Sequence, residues 1–447
     1  MGDYSMKGWG RQDEDRISLN YENCNYKRVK KYISKYCKKS YMIAIPKYEE
    51  ELKDIALIVS RLKETKSFNV TNITMSEDEI PTLEIEYKDT TYMVEISAEN
   101  YEIPEMFRIS HFFKDIDIEA IEKQDVGLMV AMDFSDNILE SYHLQLKIIC
   151  TIFPELLGIM DCSAEKILSG SWAALAAKSD IPPAPRYVFT TQAVYSCDDD
   201  VWLHTHGLNR CGIMELEIVN STKETANGHY SVIEATASRL VNEPEFFKED
   251  RPMYLGDFSN NHPLVVTWVH WEDAMETVRE GTIGGPADRN EEDGHNGYTG
   301  CLFVYETPYD MMNEEYSHIS VYDELLEDNP IYMLTNDETE RMRALAIERI
   351  DYMKKAFLKG ANAVLIKVGL KVDDEYKSDG NEYEHIWFEL KSIEENVFTA
   401  ELTQEPYMVS GMHIGSIGTY SYSEITDWIV YTNEDRITPD DVYLLEM

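Results

Sequence analysis

In 447 residues the chain carries 83 Asp and Glu against 41 Lys and Arg, a formal net charge of -42 at pH 7. So negative a surface repels nucleic acid phosphates and anionic lipid headgroups, which bind chiefly through Lys and Arg, and leaves basic proteins as its electrostatic partners. With 43% apolar and 11% aromatic residues the chain has material for two or three cores, so a folded multidomain protein is expected rather than a disordered one.

The first sixteen residues, Met1 to Arg16, have no apolar stretch of the kind a secretory leader needs, and no run of about eighteen apolar residues occurs anywhere. Neither export nor a membrane span is expected. Seven scattered cysteines, never spaced as C-x-x-C, argue against a disulfide framework and a zinc ribbon, and a reducing cytoplasm fits them.

In chain order, an acidic start is followed by the basic run Lys27, Arg28, Lys30, Lys31, Lys35, Lys38 and Lys39. It reads as a polar tail with one amphipathic basic helix, able to contact an acidic partner or the protein's own acidic body. A strand at Tyr41 to Ile45 meets Pro46, suited to opening a helix, and Tyr48, Leu52, Ile55, Ala56, Val59 and Leu62 give that helix its face. Leu83, Ile85, Tyr87 and Tyr92, Val94, Ile96 alternate on either side of Lys88-Asp89-Thr90, which predicts a hairpin. Val126 to Met132 reads as a buried strand, Ile138 to Phe153 as an apolar helix stopped by Pro154, and Leu156 to Met160 as another strand. Ser163 stands as the expected N-cap of a helix through Trp172. Tyr187 to Tyr195 and Val201 to His206 predict a second hairpin.

Beyond an acidic, proline-bearing stretch at Asn242 to Pro252, strands are expected at Leu264 to Val269 and Cys301 to Tyr305, with an acidic glycine-rich loop between them. Thr335 with Glu338 has the form of a capping box, opening a long helix whose stripe is Met342, Leu345, Ala346, Ile350, Met353 and Phe357 and whose terminator is Gly360. Strands follow at Ala363 to Val372, His385 to Ser392, Val397 to Thr403 and near Ile425 to Tyr431, with Trp387 and Trp428 expected to anchor their core. Hairpins and helices interleave irregularly, so the expected fold class is α+β, with mixed and antiparallel sheets.

The segment Glu384-His385-Ile386-Trp387-Phe388-Glu389-Leu390, followed by Phe398 to Leu402, Glu405-Pro406-Tyr407, Gly411, Gly415 and Ile425-Thr426-Asp427-Trp428, resembles the bacterial YegJ-like domain of unknown function. Upstream, Asp161-Cys162-Ser163-Ala164, Ser169-Gly170-Ser171-Trp172 and Val201 to Leu208 are similar to a second uncharacterised bacterial family. The resemblances imply a bacterial, cytoplasmic architecture without an assigned activity. The expected organisation is a tail at 1–40, an α+β domain at 41–243, a middle α+β segment with acidic loops at 244–334 and a YegJ-like domain at 335–447.

One spacing points to chemistry. His204-Thr205-His206 closes an apolar strand, where residues two apart share a face and two imidazoles can converge on a metal ion, zinc being the candidate. Glu217, or Glu215, would supply a carboxylate ligand or a general base. The pair resembles the His-x-His of JAMM-type metallopeptidases and amidohydrolases. Ser163-Ala164-Glu165-Lys166 has the S-x-x-K form without its companion motifs, and Asp288, Asn290 and Glu292 imitate only the opening of a calcium loop. Two functions are therefore expected to compete: a non-enzymatic acidic module that binds a basic protein, of immunity or inhibitor type, and a metal-dependent hydrolase built on His204, His206 and Glu217.

Overall fold

The computed structural model describes residues 39–445 apart from 76–80, 111–112, 197–198, 259–261, 279–280, 290–298, 328–330, 333–335 and 378–381. The basic helix expected before residue 39 and the capping residue Thr335 lie outside the described residues. The chain forms two compact units, one of residues 1–177 with 185–335 and one of 178–184 with 336–447. It is α+β, with three antiparallel or mixed sheets and packed helices.

The first unit holds two sheets. The first sheet contains β1 (Ser40–Pro46), β2 (Asn69–Met75), β3 (Pro81–Tyr87), β4 (Thr90–Asn100), β5 (Val126–Met132), β6 (Leu156–Asp161) and β7 (Lys166–Ser169), in the order β2-β3-β4-β5-β1-β6-β7. All of its pairings are antiparallel. The β3–β4 hairpin forms as expected, with Lys88 at φ 45° and Asp89 at φ 63°, the left-handed pair that a two-residue turn matched to strand twist requires. Helices α1 (Ile55–Glu64), α2 (Glu105–Ser110), α3 (Ile118–Glu122), α4 (Ile138–Ile152) and α5 (Gly170–Lys178) complete this part. Pro46 ends β1 instead of opening a helix. The helix starts at Ile55, where Asp54 accepts the Leu57 N–H, and it buries Ile58 and Leu62 while Ile55 is exposed. Ser163 is likewise not an N-cap: it lies in the turn between β6 and β7 and its Oγ accepts the Tyr41 N–H at 2.9 Å. Ser169 takes that role, its Oγ accepting the Trp172 N–H at 3.0 Å.

The second sheet runs β14-β11-β12-β13-β10-β9-β8, from β8 (Thr190–Tyr195), β9 (Asp200–His206), β10 (Glu215–Thr222), β11 (Met253–Asp257), β12 (Pro263–His270), β13 (Thr299–Tyr305) and β14 (Ile331–Tyr332). Its strands come from both sides of residues 243/244, where the sequence suggests a boundary; a parallel β10–β13 pairing joins them. Around it stand α6 (Ala226–Asn242), α7 (Glu245–Lys248), α8 (Trp271–Ala274), α9 (Pro308–Asn313) and α10 (Asp323–Glu327).

In the second unit, α11 (Asn336–Glu348) and α12 (Ile350–Leu358) replace the single long helix expected, with Arg349 between them in a non-helical conformation. Gly360, at φ +86°, follows the end of α12 in the left-handed region that a Cβ would strain. The sheet takes β15 (Ala363–Lys371), β16 (Tyr383–Ile393), β17 (Val397–Leu402), β18 (Ile417–Ser421), β19 (Ile425–Tyr431) and β20 (Arg436–Ile437), in the order β18-β17-β16-β15-β19-β20. Trp428 is buried as expected and donates its indole N–H to the Ala346 carbonyl of α11 at 2.9 Å. Trp387 is not in that core. Ile386, Phe388 and Leu390 fill the buried face of β16, so alternation turns Trp387 to the opposite face, where the Lys367 ammonium sits 5.5 Å from its ring.

Candidate functional site

Alternation along β9 puts Trp202, His204 and His206 on one face, and the antiparallel register sets Glu217 of β10 opposite His204. The two imidazoles do share a face, their centroids 4.9 Å apart and edge to face, and Trp202 lies 4.2 Å from His204. The Glu217 carboxylate does not join them as a ligand. It is gripped from two sides by Arg289, whose Nη1 donates to Oε1 at 2.9 Å and whose Nη2 donates to Oε2, while the Trp202 indole N–H donates to Oε2 at 3.3 Å.

The guanidinium is itself held by the Gly284 carbonyl and by Thr299 Oγ1, and it lies 5.5 Å from the Trp202 ring and 5.0 Å from that of Trp271. Gly284 permits this approach: at φ +73°, a Cβ there would meet the Trp202 ring at 2.5 Å. Both charged side chains are buried. A fork-on-fork pair of this kind is directional and charge-neutral, and its guanidinium opposes a divalent cation at the same carboxylate.

The other expected groups are also engaged. Glu215 accepts from Thr205 Oγ1 at 2.7 Å, the Gly207 N–H at 2.8 Å and the Asn209 N–H at 3.0 Å; burial nonetheless pushes its carboxyl up to about 7. His206 Nδ1 stands 3.2 Å from Glu165 Oε1, and Gln192 Nε2 reaches the same carboxylate at 3.3 Å. Lys166 is fully buried and donates to the Phe189 carbonyl at 2.6 Å; burial lowers its ammonium to about 7 against the opposing pull of Asp161. Asp288 accepts the Gly284 N–H at 2.9 Å. Among the described residues no three His, Cys, Asp or Glu side chains are grouped so as to hold a metal ion.

Two polar constellations escaped the sequence reading. The first is a buried ion pair: Arg210 donates to Asp161 Oδ1 and Oδ2, each at 2.8 Å, to Ser40 Oγ at 3.0 Å and to the Val188 carbonyl, joining β1 and β6 to the segment before β8. The second has the connectivity of a catalytic triad. Ser221 Oγ lies 2.8 Å from His229 Nδ1, and His229 Nε2 lies 2.8 Å from Asp323 Oδ1. The backbone at Ser221 is bulged, with Asn220 at φ 60°. Burial lowers the proton affinity of His229, so the neutral ring donates Nε2–H to the carboxylate and accepts the Ser221 hydroxyl at Nδ1. Both Ser221 and His229 are 0% exposed, so no substrate can reach the hydroxyl in this conformation. The chain of bonds fastens β10 to α6 and α10.

Residues 40–183 match the family model described as Protein of unknown function (DUF4026) N-terminal, residues 191–303 its DUF4026 C-terminal counterpart, and residues 335–438 a family described as Uncharacterized protein conserved in bacteria (DUF2314). No curated protein and no solved structure matches the chain. No helix among the described residues is long and apolar enough to cross a membrane. The second match spans β8 to most of β13 of the second sheet, on both sides of residues 243/244, while β14 lies beyond it; in order, the chain matches the N- and C-terminal models of DUF4026 and the DUF2314 model.

Proposed function

We propose that the chain is a non-enzymatic, acidic protein-interaction module of the bacterial cytoplasm, of immunity or inhibitor type, whose partner is a basic protein. The observation that carries this reading is where the charge lies. Lys147, Lys166, Arg210, Arg239, Arg341 and Arg349 are buried, and so are Asp161, Glu215, Glu217, Asp250, Glu338 and Glu384. Among the described residues the interior, with the Arg289 side chain also buried, is close to balanced in charge, which leaves the excess of acid on the surface. Opposite charge there accelerates encounter and selects a basic partner. The engagement of Glu217 by Arg289 and the burial of Ser221 are consistent with a protein whose polar groups serve the fold. The likeness of residues 335–447 to a YegJ-like domain belongs to the same reading and supplies no activity of its own.

A pull-down from the native host with the full chain as bait, at physiological salt, tests it. One dominant basic partner, released as salt rises, is the expected result. An unselective set of basic proteins, such as ribosomal ones, would reduce the charge to a solvation feature. The alternative, a metal-dependent hydrolase, draws its support from His204 and His206 sharing one face of β9. Zinc retained at one equivalent after dialysis against a mild chelator, and lost in the double change His204→Ala and His206→Ala, would favour it.

A further inference from the structure

The sheet of the second unit has two edges that differ in kind. β20, at one end of the strand order, is two residues long, too short to template a further strand. β18, at the other end, runs for five residues, Ile417-Gly418-Thr419-Tyr420-Ser421, without proline or charge, and pairs with β17 without a register shift. Edge strands are ordinarily blunted by charges, prolines or bulges, because their outer N–H and C=O groups invite pairing. None of these devices stands in β18.

The strand is held firmly, and the ladder fixes which groups it turns outward. The Tyr420 ring packs on Phe388 and Phe398, 4.9 and 5.8 Å between centroids, which anchors β18 from its covered face. Leu402 donates its N–H to the Ser416 carbonyl at 2.9 Å, so in the antiparallel register residues 416, 418 and 420 bond toward β17, while residues 417, 419 and 421 turn their N–H and C=O away from it. The Ser421 N–H is taken by the Glu424 carboxylate at 2.6 Å. Ile417 and Thr419 therefore present the pairing edge, and Ile417 is 66% exposed.

The charge beside this edge selects what pairs with it. Across the open face the register lines up Glu389, Glu401 and Ile417, and one ammonium, that of Lys391, is shared between the two carboxylates at 3.0 and 2.9 Å. Glu405, bonded to the Ile414 N–H and to His413, lies beyond one end of the strand and Glu424 beyond the other, where Lys354 sits 3.7 Å from the Tyr422 ring. A strand laid beside β18 sets its residue opposite Ile417 two strand intervals from Glu401, roughly 10 Å at the usual spacing, a gap that the long side chains of a lysine and a glutamate span together. A second copy of the chain, itself at -42, is repelled.

We propose that β18 takes an extended, lysine-bearing segment of the basic partner as a further strand of the sheet, with main-chain bonds to Ile417 and Thr419 supplying affinity and the carboxylates of Glu401 and Glu389 supplying choice. This rests on the binding reading above and names the surface it uses.

A short fluorescein-labelled peptide of alternating lysine and valine, titrated with the full chain at physiological salt, is the probe. Saturable binding is expected, with amide exchange at Ile417 and Thr419 slowed at least about tenfold when the peptide is bound. Thr419→Pro removes an outward N–H and keeps the bonds to β17, a placement the edge of a sheet accepts, so the melting temperature should hold while binding weakens about tenfold. Thr419→Val keeps the donor and should bind as the parent does. Ile417→Lys and Ile417→Glu leave every backbone group in place and should weaken and tighten binding respectively, which decides the matter even where Thr419→Pro fails to fold. Absence of binding, protection confined to other segments, parental affinity in a folded Thr419→Pro, or equal binding of an alternating glutamate and valine peptide would overturn the proposal. So would protection of residues 417–421 that rises with protein concentration in the absence of peptide, since the edge would then belong to a second copy. A basic partner captured equally by the parent and by Thr419→Pro would keep the binding reading and sink β18 as its surface, whereas peptide binding at β18 with no selective partner in the pull-down would keep the pairing edge and remove that reading.

Discussion

Replacing Arg289 by Met removes the fork that neutralises Glu217 while keeping apolar bulk between Trp202 and Trp271. The carboxylate stays buried against β9, with the Trp202 indole N–H as a remaining donor. Breaking a buried pair from one side leaves an uncompensated charge and costs about 3–5 kcal/mol. Removing the charge as well, with Glu217→Gln in the same chain, should recover more than half of that loss, because the penalty comes mainly from desolvating the carboxylate. Urea unfolding followed by tryptophan fluorescence suits the site, since Trp202 and Trp271 both flank the guanidinium. The first unit is expected to lose roughly 10 °C in melting temperature in the single variant, at about 2–4 °C per kcal/mol for a large domain. A loss under about 1 kcal/mol, or a double variant weaker than the single one, would refute the argument that Arg289 is the charge partner of Glu217.

Lys166 sets a second test. Its folded pKa of about 7 lies below the ordinary lysine value of 10.5, so the unfolded chain binds the extra proton, and the stability tied to the neutral amine is complete above about 10.5 and lost as pH falls through 7. Between pH 7.5 and 9 the native protein should gain about 2 kcal/mol relative to Lys166→Met, at about 1.4 kcal/mol per unit; equal slopes in urea titrations at the two pH values would contradict this. A fragment of residues 329–447 should melt cooperatively on its own, yet below the temperature of the same unit in the whole chain. It lacks Lys178–Ala184, whose Ser179 Oγ donates to Glu348 at 3.0 Å and whose Pro182 carbonyl accepts from Arg341. Calorimetry that finds no transition in the fragment would mean the unit cannot fold without that segment.

The elements legible in the sequence are those whose cause is local. Alternation around Lys88-Asp89, the apolar run of β5 and the Pro154 stop after α4 each rest on residues a few positions apart, and each of these elements forms where expected; Gly360 also ends its helical stripe, although the stripe is divided into α11 and α12 at Arg349. The sharing of a face by His204 and His206 is of the same kind, because a strand's period of two dictates it. What surrounds those histidines was not legible. Glu217 meets Arg289 across 72 residues, Arg210 meets Asp161 across 49, and His229 meets Asp323 across 94. No spacing rule connects such positions; sheet order and register bring them together. The role of Ser163 turned on the same distinction, since an N-cap and a hairpin turn ask for the same residue type locally and only the pairing of β6 with β7 separates them. The acidity of the chain was present in its composition, but its exclusion from the interior came from tertiary structure, because a charge is buried only where a specific partner neutralises it or its proton balance shifts, as it does at Lys166 and Glu215.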